Sequence, residues 1–201
     1  MYSSRPNLII GFHGCEKKDQ EKFLLDGSAF KISKERYDWL GHGMYFWEGN
    51  ESRAWHWADQ KKKAGTLKEP AVIGAVCDLG RCFDLLNSTN IETLKKYYQL
   101  FANDCQTAGI EIPQNQDHPK AKGDKVLRFL DCAVIEFMHK IIQEQDEHPF
   151  DSIRAAFIEG KPIYPNAGFH EKTHIQICII NPNCIKGVFL PRGENKKFQS
   201  V

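Results

Sequence analysis

Leu8-Ile9-Ile10-Gly11-Phe12-His13-Gly14 is short, apolar and rich in branched residues, and it stops at a glycine, as a buried strand does at a turn. Its counterpart lies near the other end of the chain, in Thr173-His174-Ile175-Gln176-Ile177-Cys178-Ile179-Ile180. In an extended chain Thr173, Ile175, Ile177 and Ile179 share one face, and His174, Gln176, Cys178 and Ile180 the other. Segments of helical period lie between these two strands. Strands at both ends with helices between them give an α+β class.

Working outward from the first strand, residues 19–26 predict a short helix with Phe23 and Leu24 as its apolar side and Gly27 as its stop. Residues 37–47, rich in glycine and aromatics, read as a loop in which two glycines around His42 take unusual backbone angles. Asn50 is placed to cap a helix over residues 51–63, with Glu51 in its first turn and Lys61-Lys62-Lys63 at the negative end of its dipole. Pro70 opens a strand over 71–79, and residues 82–86 suggest another. Ile91, Leu94, Tyr98, Phe101 and Cys105 recur at helical spacing, as do Val126, Phe129, Leu130, Ala133, Val134, Phe137, Met138 and Ile141. Residues 109–124, with Pro113 and Pro119, form the loop between them.

After Pro149 the strand pattern returns over residues 153–158. Gly160, Pro162, Pro165 and Gly168 make residues 159–172 a long loop. Residues 184–190 predict a strand beside 173–180, reached through Asn181-Pro182-Asn183. The expected organisation is one domain over residues 1–192, with a helical insertion at about 88–145, and a polar tail over 193–201. No internal repeat or low-complexity tract interrupts it.

The chain has 201 residues, 41% hydrophobic and 26% charged, which suits a globular protein with a substantial core. Lys and Arg number 27 and Asp and Glu 26, so the net charge is +1 and the broad basic field of a nucleic-acid wrapper is missing. No apolar run is long enough to span a bilayer, so no membrane partner is expected. Met1-Tyr2-Ser3-Ser4-Arg5-Pro6 leads into too short an apolar stretch for a secretory signal. Seven cysteines in apolar contexts read as reduced, buried thiols, and the cytoplasm is the expected address.

Two places could carry chemistry. At the end of the first strand, Gly11, His13 and Gly14 leave an open surface with one ring at its rim, unless His13 only satisfies a loop carbonyl. On the late strand, His174 and Gln176 side by side suggest the polar edge of a groove, the alternative being a half-exposed edge strand. No cysteine or histidine spacing fits a usual zinc site, so no metal is expected. The phosphate-loop and Gly-x-Ser-x-Gly patterns are both absent.

These pieces, in order, resemble the ADP-ribosyltransferases of the diphtheria-toxin and poly(ADP-ribose) polymerase type. Phe12-His13-Gly14 is similar to that family's first motif, and Gly41-His42-Gly43-Met44-Tyr45-Phe46 to its Gly-x-Gly-x-Tyr-Phe passage. The helix with Ser52 and Ala54 falls where the family sets small residues under nicotinamide, and the late strand falls at the third motif. The resemblance implies a split β-sheet with NAD folded across it. His13 would bind an adenosine-ribose hydroxyl and Gly14 would offer its backbone to the nicotinamide amide. Tyr45 would stack on the ring with Phe46 behind it. Ser52 and His174 would complete the NAD contacts.

The family's third motif is usually a glutamate on this strand, and here the strand offers Gln176 instead. Gln176 can hold a ribose hydroxyl, and Glu171, at the end of the preceding loop, could supply a carboxylate if the loop folds inward. Family members without the glutamate tend to transfer single ADP-ribose units or have lost activity. The expectation is therefore a mono-ADP-ribosyltransferase, a toxin-like or defence effector, acting on an acceptor that is a protein, a nucleic acid or a small molecule. Its alternatives are an NAD glycohydrolase with the same site, and a module that binds NAD or ADP-ribose without reacting. Loop residues Tyr164, Phe169 and Glu171 are the expected acceptor contacts.

Overall fold

The computed structural model describes residues 8–26, 30–117, 123, 125–194, 196 and 197. In chain order its elements are β1 (Ile9–Glu16), α1 (Lys17–Leu25), β2 (Met44–Glu48), α2 (Glu51–Lys63), β3 (Pro70–Cys77) and β4 (Cys82–Asp84). Then come α3 (Ser88–Ala108), α4 (Phe129–Glu144), β5 (Ser152–Phe157), β6 (His174–Ile179) and β7 (Ile185–Phe189). The strands make one mixed sheet in the order β4-β5-β6-β2-β1-β3-β7, in which only β4 and β5 run parallel. The class is α+β, as the strand and helix patterns imply.

Local chemistry sets the helix ends. The Asn50 side chain accepts from the Arg53 N–H and caps α2, whose last turn carries Lys61, Lys62 and Lys63. Asn87 caps α3 in the same way, and Gly109 ends it at φ 66°, a left-handed angle that favours glycine.

The two faces of the sheet bury different partners. Over one, Phe23 of α1 and the nearby Phe30 pack on Cys15, Phe46, Ile73, Ala75, Ile177 and Ile179. The other is covered in two halves. Ile135, Met138 and Ile142 of α4 close over Ile153, Ala155, Phe157 and Cys178. Ala54 of α2 packs with Trp47 and Val72, with Phe12 and Trp57 at the margin. Helix α3 lies outside α4, where the rings of Phe101 and Phe137 meet at 5.5 Å.

Two expectations need correction. Residues 37–47 are not all loop, because Met44 to Trp47 belong to β2, a central strand. With both faces covered, Met44, Phe46 and Trp47 are all buried, so the stretch lacks the alternation of a half-exposed strand. The last strand is not beside β6. Both edges of β6 are taken, by β2 and β5, and a 3-10 turn at Pro182–Cys184 leads into β7, which pairs with β3 at the far edge.

Gly27, Pro119 and residues 1–7 and 198–201 lie outside the described residues, and residues 193, 194, 196 and 197 are neither helix nor strand. Among the described residues no helix is long and apolar enough to cross a membrane.

Candidate functional site

Strands β1 and β2 part almost as soon as they meet. Only Gly11 with Glu48 and Phe12 with Trp47 are in register, whereas β1 pairs with β3 along its whole length. His13 stands at the parting. Its Nδ1 donates to the Tyr45 carbonyl at 2.8 Å, and since a carbonyl only accepts, Nε2 is left as an acceptor. The ring sits among Phe23, Phe30 and Phe46, and burial lowers its pKa. His13 and Phe46 thus belong to the α1 face of the sheet. Gly14 belongs to the other, directly beneath α2. A Cβ there would meet the Ala54 carbonyl oxygen at 2.8 Å and the Trp57 ring at 3.0 Å, so only glycine allows this approach.

On the α2 face, beside the parting, lies a buried cluster of rings and charges. Trp47, at the β1–β2 junction, is in register with Gln176 of β6. The Arg53 guanidinium, from the first turn of α2, stands 5.6 Å from the centre of the Trp47 ring. Its Nη2 donates to Glu159 Oε2 at 2.6 Å, with both side chains about nine-tenths buried. Lys172 reaches the other oxygen of Glu159 at 3.3 Å. His174 packs against Phe157 at 5.7 Å, Trp39 at 6.1 Å and Trp47 at 6.4 Å. The Arg128 guanidinium closes the far side, 4.6 Å from the Trp39 ring and 5.0 Å from Phe157, and pairs with Asp131.

Several polar atoms of this cluster are buried without a hydrogen-bond partner among the described residues. They are Trp47 Nε1, Arg53 Nε and Nη1, Arg128 Nε and His174 Nε2. Buried polar groups are normally satisfied, and these five atoms belong to residues of the one cluster. His174 Nδ1 donates to the Lys172 carbonyl at 2.6 Å, which makes Nε2 the basic nitrogen. Burial lowers the His174 pKa, and the charges of Arg53 and Arg128 add to that. The cluster therefore offers N–H donors, one imidazole acceptor, an aromatic face and a carboxylate. Such a set can hold a planar cation, accept from a hydroxyl and stabilise nearby positive charge.

The Gly41-His42-Gly43-Met44-Tyr45 passage works here as a clamp. The Tyr45 hydroxyl donates to the Gly41 carbonyl at 2.6 Å and accepts from the Leu40 N–H at 2.8 Å, while its ring packs in the α4 core. Burial pushes the phenol well above its usual range. Gly41 has φ 75° and lies against Ile135 and Glu136, and a Cβ at Gly43 would meet Cys178 Sγ at 2.3 Å and the Ile179 carbonyl oxygen at 2.7 Å. His42 binds Glu136 by its backbone N–H at 2.7 Å and by Nδ1 at 3.0 Å. The glycines let the loop lie flat between α4 and β6.

The site thus joins His174 and Gln176, and puts Tyr45 on the same face with its hydroxyl committed. Ser52 and Glu171 lie outside it. Ser52 is exposed and donates to Asn50 Oδ1, and Glu171 is exposed with its carboxylate turned toward the Lys161 N–H. Their neighbours Arg53 and Glu159 take the inward positions, although residue type and periodicity give them no distinction. One step along a helix turns the side chain by about 100°, which is the whole difference between Ser52 and Arg53. The signal for Glu159 was its place just beyond the end of a strand, where functional side chains collect. Interior β6 also removes the edge-strand explanation of His174 and Gln176.

Elsewhere the chemistry is muted. Burial pushes the thiols of Cys15, Cys77 and Cys132 up to about 12 and that of Cys184 to about 11, too high for nucleophiles at neutral pH. Among the described residues no three His, Cys, Asp or Glu side chains converge as a metal site would need. A surface hollow of about 230 Å³ between α3 and α4 is lined in part by Asp131, the partner of Arg128, and one of about 410 Å³ lies around His148 and Phe150.

No family model matches the chain, and no solved structure matches it. An uncharacterised protein of Methanocaldococcus jannaschii is 29% identical over 197 residues, spanning 87% of this chain and 83% of that protein. This chain is thus similar to the archaeal protein over most of the length of both.

Proposed function

We propose that the chain is an NAD-dependent mono-ADP-ribosyltransferase, using NAD as substrate and no metal. It would break the bond between nicotinamide and ribose, join ADP-ribose to an acceptor, and release nicotinamide and the acceptor's proton. The observation that carries this reading is the buried set of partnerless polar atoms on Trp47, Arg53 and His174, lying where β1 parts from β2 beside the His13-Gly14 pair. The order of the His-Gly and Gly-x-Gly-x-Tyr-Phe passages supports it.

In this reading Trp47, rather than Tyr45, provides the aromatic face for the pyridinium ring. Cleavage builds positive charge on the ribose, and Glu159 stabilises that charge by its carboxylate. His174 Nε2 and the Gln176 amide accept from and donate to ribose hydroxyls, whereas His13 packs on the α1 face, opposite this cluster, and takes no part in it. The cytoplasmic address rests on the buried thiols, and the toxin or defence role on the family resemblance. The reading is tested by incubating the chain with NAD and measuring nicotinamide. Label fixed to a macromolecule identifies transfer, and free ADP-ribose identifies the glycohydrolase.

One observation favours a second reading, a module that binds NAD or ADP-ribose without reacting. Glu159 is already committed to Arg53 and Lys172, and β6 carries no carboxylate. That reading expects NAD binding with no nicotinamide release.

A further inference from the structure

The oddest feature of the cluster is Arg53 itself. A guanidinium about nine-tenths buried should have its N–H groups answered, yet only Nη2 has a partner, Glu159, and Nε and Nη1 have none among the described residues. Its guanidinium carbon stands 5.6 Å from the centre of the Trp47 ring, and its charge meets a carboxylate that Lys172 also holds. Trp47 and Glu159 are thus an aromatic wall and a counter-charge, arranged around a flat, delocalised cation that is itself poorly satisfied.

We infer that Trp47 and Glu159 form a binding site for a planar, delocalised monocation, and that Arg53 fills it in the resting chain as an internal ligand. An incoming cation displaces Arg53, whose unanswered N–H groups make it the weaker occupant. Lys172 then remains on Glu159, so the carboxylate does not lose its whole counter-charge. Two sources share this chemistry. One is the pyridinium ring of a nicotinamide cofactor, and this arm rests on the proposed NAD reading. The other is the guanidinium of an arginine side chain, and it stands without that reading.

The test titrates 1-methylnicotinamide and methylguanidine, with urea as the neutral isostere of guanidinium, into the wild type, Arg53→Ala and Arg53→Ala with Glu159→Gln. Melting temperature and Trp fluorescence report binding at constant ionic strength. Vacating the site in Arg53→Ala should give saturable binding of a planar cation at least about tenfold tighter than in the wild type, raising the melting temperature. Urea should not bind, and Glu159→Gln should abolish the effect. Methylguanidine binding without 1-methylnicotinamide binding upholds the site and counts against the NAD reading. Should Arg53→Ala not fold, Arg53→Gln, closer in length, takes its place. A folded variant that binds neither cation, binds urea equally, or still binds after Glu159→Gln overturns the inference.

Discussion

The guanidinium of Arg53 and the carboxylate of Glu159 meet at 2.6 Å although 106 positions separate them in the chain. One comes from the first turn of α2 and the other from the residue pair beyond β5, so their contact ties the helix that roofs β1 to the loop that leads into β6. Both are buried, and this decides the energetics. Losing one partner of a buried pair strands the other charge, at a cost of about 3–5 kcal/mol. Glu159→Gln should therefore destabilise the chain by that order in urea denaturation. Replacing both by apolar residues, Arg53→Met with Glu159→Leu, should cost less than the sum of the single changes. Additive losses would mean that the pair is not energetically coupled.

Tyr45 bridges two backbone groups of the glycine passage by its hydroxyl. Tyr45→Phe keeps the ring in the α4 core and leaves the Leu40 N–H and Gly41 carbonyl without that bridge. A loss of about 1–3 kcal/mol is expected, read by chemical denaturation. An unchanged midpoint would show that the clamp adds nothing to stability.

Gly43→Ala and Gly187→Ala make a matched pair. A Cβ at Gly43 collides with Cys178 Sγ and the Ile179 carbonyl, whereas at Gly187 nothing lies within 4 Å. The first should cost about 1–3 kcal/mol by overpacking. The second should be near neutral or slightly stabilising, since it restricts the unfolded chain. Comparison of the two melting temperatures checks this.

Burial lowers the pKa of His13, His139 and His174 from the ordinary value of 6.5. In the window between the folded values and 6.5 the unfolded chain binds more protons than the folded one, so stability rises with pH there and is lost as pH falls. Each group contributes at most about 1.4 kcal/mol per pH unit. The urea midpoint should drop between about pH 7 and about pH 5.5, and His174→Phe should flatten the slope. A midpoint that holds or rises on acidification would contradict this.

Much of the fold was legible because its signals are local. Asn50 before Glu51 and the lysines of 61–63 marked α2 at both ends, and the alternation of residues 173–180 gave β6 its faces correctly. Strand β2 was not legible, since a central strand covered on both sides has no period-2 pattern and the glycines just before it, Gly41 and Gly43, suggested a loop. The partner of β7 was misread because neighbours in sequence usually pair, and occupancy of both edges of β6 is a property of the whole sheet. The site was half legible. His174 and Gln176 followed from strand alternation, but Arg53 and Glu159 become distinctive only when the sheet brings α2 against the loop after β5.

Nicotinamide release from NAD tests the central claim most directly, compared between the wild type and Glu159→Gln and Trp47→Ala variants checked for folding. The wild type should release nicotinamide, and loss of Glu159 should slow it about a hundredfold, the scale of removing one electrostatic stabiliser. Trp47→Ala should weaken NAD binding as well. Neither release nor binding of NAD by the folded wild type, or undiminished release in both variants, would contradict the assignment of this cluster as the NAD site.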